Sequence, residues 1–396
     1  VKQKGSAAIN DAKGLYFINA QGKDADKPTQ IWTQGETESS SCWFPTIDKP
    51  NQKTTQEIYI TVPEQYVTLS NGILKSSENL GENLRTDHWV MDKKHAPYLF
   101  FMGVGEYAVI KDKWRNIDVD YYVEKEYEPY AKQIFGNTPE MIEFFSKKLN
   151  YDFPWQKYAQ IVGRDYVSGA MENTTAVIHE ESAQQKAGDL ADENKWEDVI
   201  AHELFHHWFG DLVTAESWSN LTVNESFADY SEYLWNEYKY GKDEADYKRL
   251  KSLRNFKADP RNFGKDLVRF NYESREDMFD GVSYNEGGGI LHMLRNYLGD
   301  DAFFAGLSDY LKTNEYGTGE AHQLRLSLEK VSGKDLNWFF NQWYFGKGYP
   351  KLEVKSTFDP MKKQVTVNVA QTQEEKFEFP LSIDVLENGK ISRKEV

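Results

Sequence analysis

The sequence predicts a multidomain α+β protein with an N-terminal β-rich domain, a mainly helical central domain and a partial C-terminal β-sandwich. Three observations predict this fold class. The chain has 396 residues, more than one small core requires. Apolar residues change to helical spacing near residue 119, and short strand-like segments return after residue 348. The expected divisions are therefore 1–118, 119–348 and 349–396.

The N-terminal domain is expected to be rich in strands. The segment EIYITV at 57–62 alternates partly between apolar and polar residues, and YLFFMGVGEYAVI at 98–110 is a long apolar run broken by glycines. The turn-forming segment IDKPNQKT at 47–54 precedes the first of these. Short strands separated by turns are typical of a β-rich domain.

The central segment shows helical periodicity. Apolar residues recur at three- and four-residue intervals in TPEMIEFFSKKLN (138–150), NKWEDVIAHELFHHWFG (194–210) and NESFADYSEYLWNEYKYG (224–241). After residue 349 the pattern returns to strands, in KLEVKS, QVTVNVA and FEFPLSIDV. Asn388-Gly389 predicts a tight turn into a last strand.

Composition excludes several classes of protein. Asp and Glu number 63 against 47 Lys and Arg, a net charge of −16 that argues against nucleic-acid or anionic-membrane partners and suits cationic ligands. No run of about 18 apolar residues predicts a membrane span. Cys42 is the only cysteine, so no internal disulfide forms. We expect a soluble monomer, cytoplasmic or else periplasmic or secreted after processing, and a trimmed or processed piece of a longer product.

The stretch HELFHH at 202–207 holds three of the eight histidines of the chain. Asn194 and Glu197 have the spacing of a reciprocal helix cap, and Gly210 is a natural helix terminator. On that helix His202 and His206 lie one turn apart on the same face, with Glu203 beside them. The alternative is a buried aromatic helix that carries histidines by chance.

The HExxH spacing is what a zinc hydrolase requires. Two neutral imidazoles can bind Zn²⁺ from one face, and a neighbouring carboxylate can take a proton from a water molecule that the metal activates. His207 lies about 100° around the helix, so it is interpreted as a packing residue or a surface hydrogen-bonding group. A catalytic zinc requires a third ligand. Glu225 in the next helix, taken alone, is a solvated acid of a first turn. Asp229, one turn later on the same face, is interpreted as a surface acid, with support of a metal ligand as the alternative.

Five segments in the right order resemble the aminopeptidase N family of zinc metallopeptidases, the gluzincins. Glu225 follows His206 by nineteen residues, the family spacing for a third ligand. Residues 169–173 read GAMEN, the exopeptidase signature of that family. The other similar segments are TQGE (33–36), VSYNEGGGILHML (282–294) and GKDLNWFFNQW (333–343).

The resemblance implies a thermolysin-like catalytic domain at 119–348 and removal of residues from peptides with a free N-terminus. It implies one Zn²⁺ per chain, held by His202, His206 and Glu225, with Glu203 as general base and Tyr284 stabilising the oxyanion. Substrate binding is assigned to the following residues: Glu36, Gly169, Ala170, Met171, Glu172 and Asn173. Glu36 and Glu172 would bind the substrate ammonium group. The resemblance also implies that the N-terminal domain is incomplete.

Several positions depart from the family pattern. Ser226 and Thr222 stand where relatives often have glycine and tryptophan, and Glu286 stands where lysine is frequent. These changes affect the expected pocket shape. Three alternatives remain open: an endopeptidase of thermolysin type, an epoxide hydrolase that is also a peptidase, and a scaffold without catalysis.

Overall fold

The structure, a computed structural model, describes residues 13–396. Seven strands form two N-terminal sheets: β1 (Gly14–Ile18), β2 (Gln30–Gln34), β3 (Thr54–Pro63), β4 (Val67–Ser70), β5 (Ile73–Gly81), β6 (Leu84–His95) and β7 (Met102–Gly105). Four strands pair in the order β1-β2-β7-β4 and three in the order β3-β6-β5. The predicted β-rich N-terminal domain is confirmed, and EIYITV lies within β3.

A five-stranded sheet connects this region to the central domain. Its strands are β8 (Tyr107–Trp114), β9 (Ile117–Glu124), β10 (Lys157–Gly163), β11 (Ala170–Met171) and β12 (Ala176–Glu180), in the order β11-β12-β10-β9-β8. Strands β9, β10 and β12 run parallel, whereas β11 is antiparallel to β12. Residue 118 lies inside β9, so the sheet crosses the predicted division, which itself stays a prediction.

Helices make up most of the rest of the central domain. They are α1 (Ala131–Phe135), α2 (Thr138–Leu149), α3 (Glu197–Phe205), α4 (Thr222–Lys239), α5 (Lys242–Ala258), α6 (Gly287–Leu298), α7 (Asp300–Asn314), α8 (Ala321–Ser332) and α9 (Asn337–Trp343). Two short parallel strands, β13 (Thr214–Ala215) and β14 (Thr318–Gly319), pair between them. The three predicted helices correspond to α2, α3 and α4.

The predicted cap of α3 is wrong in detail. Asn194 accepts a hydrogen bond from the backbone N–H of Trp196 (3.1 Å), but the carboxylate of Glu197 accepts from Trp235 Nε1 (2.6 Å) instead of returning to the cap. The α-helix ends at Phe205, and the chain turns through Gly210, whose φ of 139° is unfavourable for other residues. Tertiary contacts of Glu197 therefore replace the local cap.

The C-terminal strands form two antiparallel hairpins, β15 (Leu352–Asp359) with β16 (Gln364–Gln371) and β17 (Ser382–Glu387) with β18 (Lys390–Glu395). The predicted Asn-Gly turn is confirmed: Asn388 and Gly389 have φ of 49° and 77°. Apolar side chains such as Phe358 are mostly exposed on these strands, so residues 349–396 form strands without a closed second layer. Within residues 13–396, none of the helices has the length and hydropathy of a membrane span.

The N-terminal sheets pack against the central domain, and this packing brings residues of both regions to the predicted site. Trp32 of β2 is buried and donates from Nε1 to the carbonyl oxygen of Arg164 (3.1 Å). Its hydrophobic cluster also contains Ile161 and Ile178 of the five-stranded sheet and Trp218 near α4. The loop that follows β2, with Glu36, therefore lies against the elements that carry the predicted metal ligands.

Candidate active site

The three predicted metal ligands meet between α3 and α4. Glu225 Oε2 lies 3.3 Å from His202 Nε2 and 3.4 Å from His206 Nε2. One ligand atom from each residue lies within 4.8 Å of both others. His206 and Glu225 are buried, and His202 is partly buried. The helical spacing of the two histidines and the position of Glu225 in the first turn of α4 produce this arrangement.

These residues fit a tetrahedral zinc ion. Ligands about 2.0–2.1 Å from a tetrahedral Zn²⁺ lie roughly 3.3–3.4 Å apart, as the two nitrogen-to-oxygen distances do. Two imidazoles and one carboxylate are the ligands of catalytic zinc sites that leave a fourth position open. His202, His206 and Glu225 could therefore hold the metal.

The other nitrogen of each imidazole is also occupied. Nδ1 of His202 lies 2.9 Å from Oε1 of Glu232, and Nδ1 of His206 lies 3.0 Å from the carbonyl oxygen of Phe209. Such bonds fix the tautomer so that both Nε2 atoms carry the lone pair toward the ligand position. Glu232 belongs to none of the motifs in the sequence, and its only signal is its position on α4, seven residues after Glu225.

The charges around the two imidazoles favour a cation. Burial lowers the pKa of His206, but the carboxylates of Glu172 and Glu225 outweigh it and raise that pKa to about 9. Burial raises the pKa of Glu225, and the two histidines outweigh it and lower it to about 2. A site that stabilises positive charge this strongly is suited to a divalent metal ion.

Glu203 lies beside the ligands and is not one of them. One of its carboxylate oxygens, Oε2, is buried without a hydrogen-bond partner among residues 13–396, and its carboxylate lies within 4.8 Å of Glu172 and His206. Burial raises the pKa of Glu203, while His202 and His206 lower it, and the burial effect is larger. A carboxylate with a raised pKa and a free oxygen can accept a proton near neutral pH.

A second group of acids lies on the His206 side. Glu172 follows β11, and Glu36 follows β2, so the acids come from two different sheets. Glu36, Glu172 and Glu225 lie within 4.8 Å of one another, and Oε1 of both Glu36 and Glu172 is buried without a hydrogen-bond partner among the described residues, although Oε1 of Glu172 lies 4.0 Å from Nδ1 of His206. Burial, together with the neighbouring acids, raises the pKa of Glu36 well above its ordinary value. A bound cationic group would relieve this repulsion.

The rest of the GAMEN segment forms the edge of the five-stranded sheet. Ala170 and Met171 pair with β12 on one side only, within the strands that the structure describes. Space around Gly169 is open, whereas Met171 is buried and its sulfur accepts from Gln34 Nε2. Asn173 is buried, and its carboxamide has no partner within residues 13–396. A free strand edge can pair with an extended peptide.

Tyr284 lies in a π-helical turn, Val282–Glu286, directly before α6. Its ring stacks on that of His202 with centroids 6.0 Å apart. Burial and the surrounding carboxylates raise the pKa of Tyr284 well above its ordinary value, so the phenol keeps its proton and can donate. Ser226 of α4 donates to the carbonyl oxygen of Ser283 (2.6 Å), which fixes this turn against the helix that carries Glu225.

Two predictions about neighbouring residues have different outcomes. His207 is a buried packing residue, as one of its two interpretations predicted. Asp229, interpreted as a surface acid, is instead partly buried against Gly288: a Cβ added to that glycine would lie 2.3 Å from Oδ2 of Asp229. Burial and the charge of Glu232 raise the pKa of Asp229 to about 8.

A cavity of about 400 Å³ lies beside the site, between α4, α5 and α6. Asp229 and Glu232 of α4 and Asn285 and Glu286 of the π-helical turn form the wall nearest the metal ligands. The opposite walls are mostly apolar: Leu253, Phe256, Ile290, Met293, Trp343 and Tyr349. The cavity therefore adjoins the site through Glu232, which contacts His202, and neither Glu36 nor Glu172 is among its lining residues.

Comparisons with known proteins identify relatives of this chain. The chain is 29% identical over 363 residues to Tricorn protease-interacting factor F2 of Thermoplasma acidophilum, covering 88% of this chain and 44% of that protein. It is 28% identical over 364 residues to Aminopeptidase M1 of Arabidopsis thaliana, covering 88% and 40%. The chain thus spans less than half the length of these relatives.

A solved structure and two family models complete the comparison. The crystal structure of Legionella pneumophila aminopeptidase A in complex with aspartic acid has a TM-score of 0.81 at 20% identity, over 98% of this chain and 45% of that chain, which shows a shared fold. Residues 6–99 match the Peptidase M1 N-terminal domain, and residues 134–343, more than half of the chain, match the Peptidase family M1 domain. The chain therefore belongs to peptidase family M1.

Proposed function

We propose that this chain carries the catalytic centre of a zinc-dependent aminopeptidase that removes residues from the free N-termini of peptides. One observation carries the proposal: Glu36 and Glu172 each present a buried carboxylate oxygen that has no hydrogen-bond partner within residues 13–396, and both acids lie within 4.8 Å of Glu225, one of the proposed metal ligands. Acids in this position suit a substrate ammonium group one residue from the bond to be cleaved.

The metal would be held by His202, His206 and Glu225. When bound, Zn²⁺ polarises the scissile carbonyl group and lowers the pKa of water from about 15.7 toward ~7. The residues of the chain supply the remaining chemistry. Glu232 keeps the imidazole of His202 in its ligating orientation through the 2.9 Å contact at Nδ1.

Glu203 acts as the general base. Its free oxygen Oε2 takes a proton from the attacking water molecule and then passes it to the leaving amine. Tyr284 donates its phenolic hydrogen to the oxygen that becomes negative as the carbonyl carbon turns tetrahedral. The raised pKa of Tyr284 keeps that hydrogen in place.

The two acids restrict cleavage to the end of a peptide. An internal peptide bond would bring no cation to Glu36 and Glu172, and two buried negative charges would remain uncompensated. The free edge of β11 can hold the backbone of the substrate as an additional strand. The cavity beside His202 offers space to the residues after the cleaved bond.

The experiment compares the wild-type full chain with two variants. Purified wild-type protein should contain one zinc per chain and hydrolyse leucine anilides, and removal of the metal with a chelator should abolish activity. Glu203→Gln should keep its zinc and lose activity by about 10²–10⁴-fold because the base is absent. The exposed Glu193, nine residues before His202, provides a matched control as Glu193→Gln.

The substrate series tests the chain-end restriction. Peptides with a free N-terminus should be cleaved one residue at a time, and the same peptides with an acetylated N-terminus should not. Cleavage of acetylated peptides at internal bonds would identify an endopeptidase instead. Absence of stoichiometric zinc, or full activity of Glu203→Gln, would contradict the proposal.

A further inference from the structure

A buried chain of hydrogen bonds connects the N-terminal sheet to the catalytic helix, and the proposed chemistry does not use it. Its centre is Thr175, three residues after Glu172. The backbone N–H of Thr175 donates to Nε2 of His207 (2.9 Å), and its Oγ1 accepts from the backbone N–H of Gly72 (2.8 Å). Thr175 therefore contacts both the segment that ends α3 and the turn between β4 and β5.

Lys157 also donates hydrogen bonds to Thr175. It is the first residue of β10, almost fully buried, and its Nζ donates to the carbonyl oxygens of Ser70 and Thr175 (2.9 Å each) and to Oγ1 of Thr175 (3.0 Å). These bonds occupy the donors of the ammonium group. Lys157 thus joins β4 of the N-terminal sheet to the loop that carries Glu172.

Asn71 holds the preceding residue of the same loop. Its Nδ2 donates to the carbonyl oxygens of Thr174 and Leu99 (2.8 Å each), and its Oδ1 accepts from the backbone N–H of Phe101 (2.7 Å). Asn71 is fully buried, so water does not compete for these bonds. Thr174 and Thr175 are therefore both fixed by the N-terminal domain.

The backbone of Thr175 depends on these contacts. Its φ of 66° lies in the left-handed region, which is unfavourable for a β-branched residue. Such a conformation persists only where the surrounding structure determines it. Loss of a contact at Thr175 should therefore release the loop toward an ordinary backbone conformation and move Glu172 with it.

His207 connects this loop to the base. A backbone N–H can only donate, so Nε2 of His207 accepts from Thr175, and the hydrogen is on Nδ1, which lies 3.2 Å from the carbonyl oxygen of Glu203. The ring packs between Phe153 and Tyr158, with centroids 5.6 and 4.8 Å away. His207 thus has a fixed orientation and contacts the loop of Glu172 and the backbone of Glu203 at once.

We propose that His207 is a positioning residue that fixes the ammonium-binding Glu172, through Thr175, relative to the general base Glu203. The inference rests on the proposed function, because it assigns those roles to the two glutamates. Displacement by about 1 Å in such a pair costs roughly 100-fold in rate. The hydrogen bond between His207 Nε2 and Thr175 is the contact to test, because it joins the loop of Glu172 directly to the segment that follows Glu203.

Two substitutions of similar polarity distinguish the bond between His207 Nε2 and Thr175 from the contact between His207 Nδ1 and Glu203. In His207→Gln, the carboxamide reaches the position of Nε2 and can still accept from Thr175. In His207→Asn, the shorter carboxamide reaches only the position of Nδ1 and keeps the contact to Glu203 alone. We expect kcat/KM for leucine anilide to stay within about threefold of wild type for Gln and to fall by about tenfold or more for Asn.

Three readouts accompany the kinetics of the full chain. Zinc content should stay at one per chain in both variants, since neither ligand nitrogen is changed. Hydrogen–deuterium exchange at the amide of Thr175 should be at least about tenfold faster in His207→Asn than in wild type or His207→Gln, because that amide loses its acceptor. Thermal unfolding curves check that the assay temperature lies below the unfolding transition of both variants.

Each outcome decides the inference. It is overturned if His207→Asn keeps wild-type kcat/KM, if His207→Gln loses as much as His207→Asn, or if Thr175 exchange is equal in all three proteins. If wild type hydrolyses no anilide at all, the proposed function fails. The exchange measurement then still determines whether His207 holds the loop.

Discussion

The carboxylate of Glu232 lies 2.9 Å from Nδ1 of His202, on the opposite side of the imidazole from Glu225. The imidazole is therefore held between two acids of the same helix, one beside Nε2 and one beside Nδ1. The proton on Nδ1 then belongs to the bond with Glu232, and the lone pair of Nε2 faces the position where a metal would bind. Packing of α3 on α4 creates this relationship.

Glu232→Gln should weaken zinc binding. The neutral carboxamide stabilises the ligating imidazole less than a carboxylate does, and loss of such a partner costs about 10–100-fold in metal affinity or activity. Competition with a chelator of known affinity measures the change. The exposed Glu244 of α5 supplies the control Glu244→Gln, which should bind zinc as wild type does. If Glu232→Gln and Glu244→Gln bind zinc with equal affinity, Glu232 does not stabilise the ligating imidazole of His202.

Tyr284→Phe should reduce kcat and leave KM nearly unchanged. The phenolic hydrogen is needed at the oxygen that develops charge in the transition state, and loss of one such donor costs about 10²–10³-fold in kcat. Anilide kinetics give both parameters. Tyr247→Phe, at an exposed tyrosine of α5, serves as the control. A large rise in KM with normal kcat would indicate that Tyr284 binds the substrate before the reaction instead.

The helices of the site were predictable from sequence because their apolar residues keep a regular interval. In α4, residues Phe227, Leu234 and Trp235 are buried along one side, as the spacing indicates. The strands β10 and β12 were not predicted. All of β10 and nearly all of β12 are buried, so neither strand alternates between apolar and polar residues.

The contacts of the acids could not be predicted in the same way. Glu232 and Asp229 are two of many acids in the sequence, and their positions near His202 and Gly288 depend on how α3, α4 and α6 pack. Tyr284 is one of 24 tyrosines and was identified by resemblance alone. His207 was predicted to pack, yet its bond to Thr175 requires a loop 32 residues earlier in the chain.

Glu172→Gln should raise KM for substrates with a free amino group. A charge-assisted hydrogen bond contributes about 1.5–3 kcal/mol, which corresponds to roughly 10–100-fold in binding. Kinetics with leucine anilide measure it, and Glu36→Gln should act in the same direction. The exposed Glu78 of β5 supplies the control Glu78→Gln. An unchanged KM in both acid variants would show that the ammonium group binds elsewhere.

Asp87 should make stability depend on pH. Burial raises the pKa of Asp87, but hydrogen bonds from Arg85, Ser77 and Thr68 outweigh it, and the pKa lies below its ordinary value. The contribution of Asp87 to the free energy of unfolding is therefore fully present above about pH 4, the pKa of Asp87 in the unfolded chain. It is lost as pH falls through the lower pKa of Asp87 in the folded protein.

Removal of that carboxylate tests the assignment. Asp87→Asn should cost on the order of 2 kcal/mol in the free energy of unfolding at pH 7, because hydrogen bonds to a buried charge are lost. The difference from wild type should shrink in denaturant titrations below pH 4. Asp384→Asn, which breaks the exposed pair with Arg393, should leave the free energy of unfolding unchanged at both pH values. A constant difference from pH 7 to pH 3 would contradict the pKa assignment.

The cavity beside His202 should influence the residue after the cleaved bond. With the ammonium group at Glu36 and Glu172, the peptide extends toward this cavity, where the carboxylates of Asp229 and Glu286 line the wall and take part in no side-chain hydrogen bond within residues 13–396. The cations that line the same cavity are Lys248, which pairs with Asp198, and the exposed Arg249 and Lys257. Burial raises the pKa of both acids to about 8, so a lysine side chain that follows the bond should be preferred to leucine, and the preference should grow as pH rises through about 8 and the acids ionise.

Asp229→Asn should reduce that preference by about fivefold, since one partly exposed ion pair contributes roughly 1 kcal/mol. The ratio of kcat/KM for Leu-Lys-amide over Leu-Leu-amide measures it, and Glu286→Gln should change the ratio in the same direction. Leucine anilide, which has no such side chain, should be hydrolysed equally by all variants. Asp243→Asn on the exposed side of α5 is the control. If both acid variants keep the wild-type ratio, the peptide does not follow this wall.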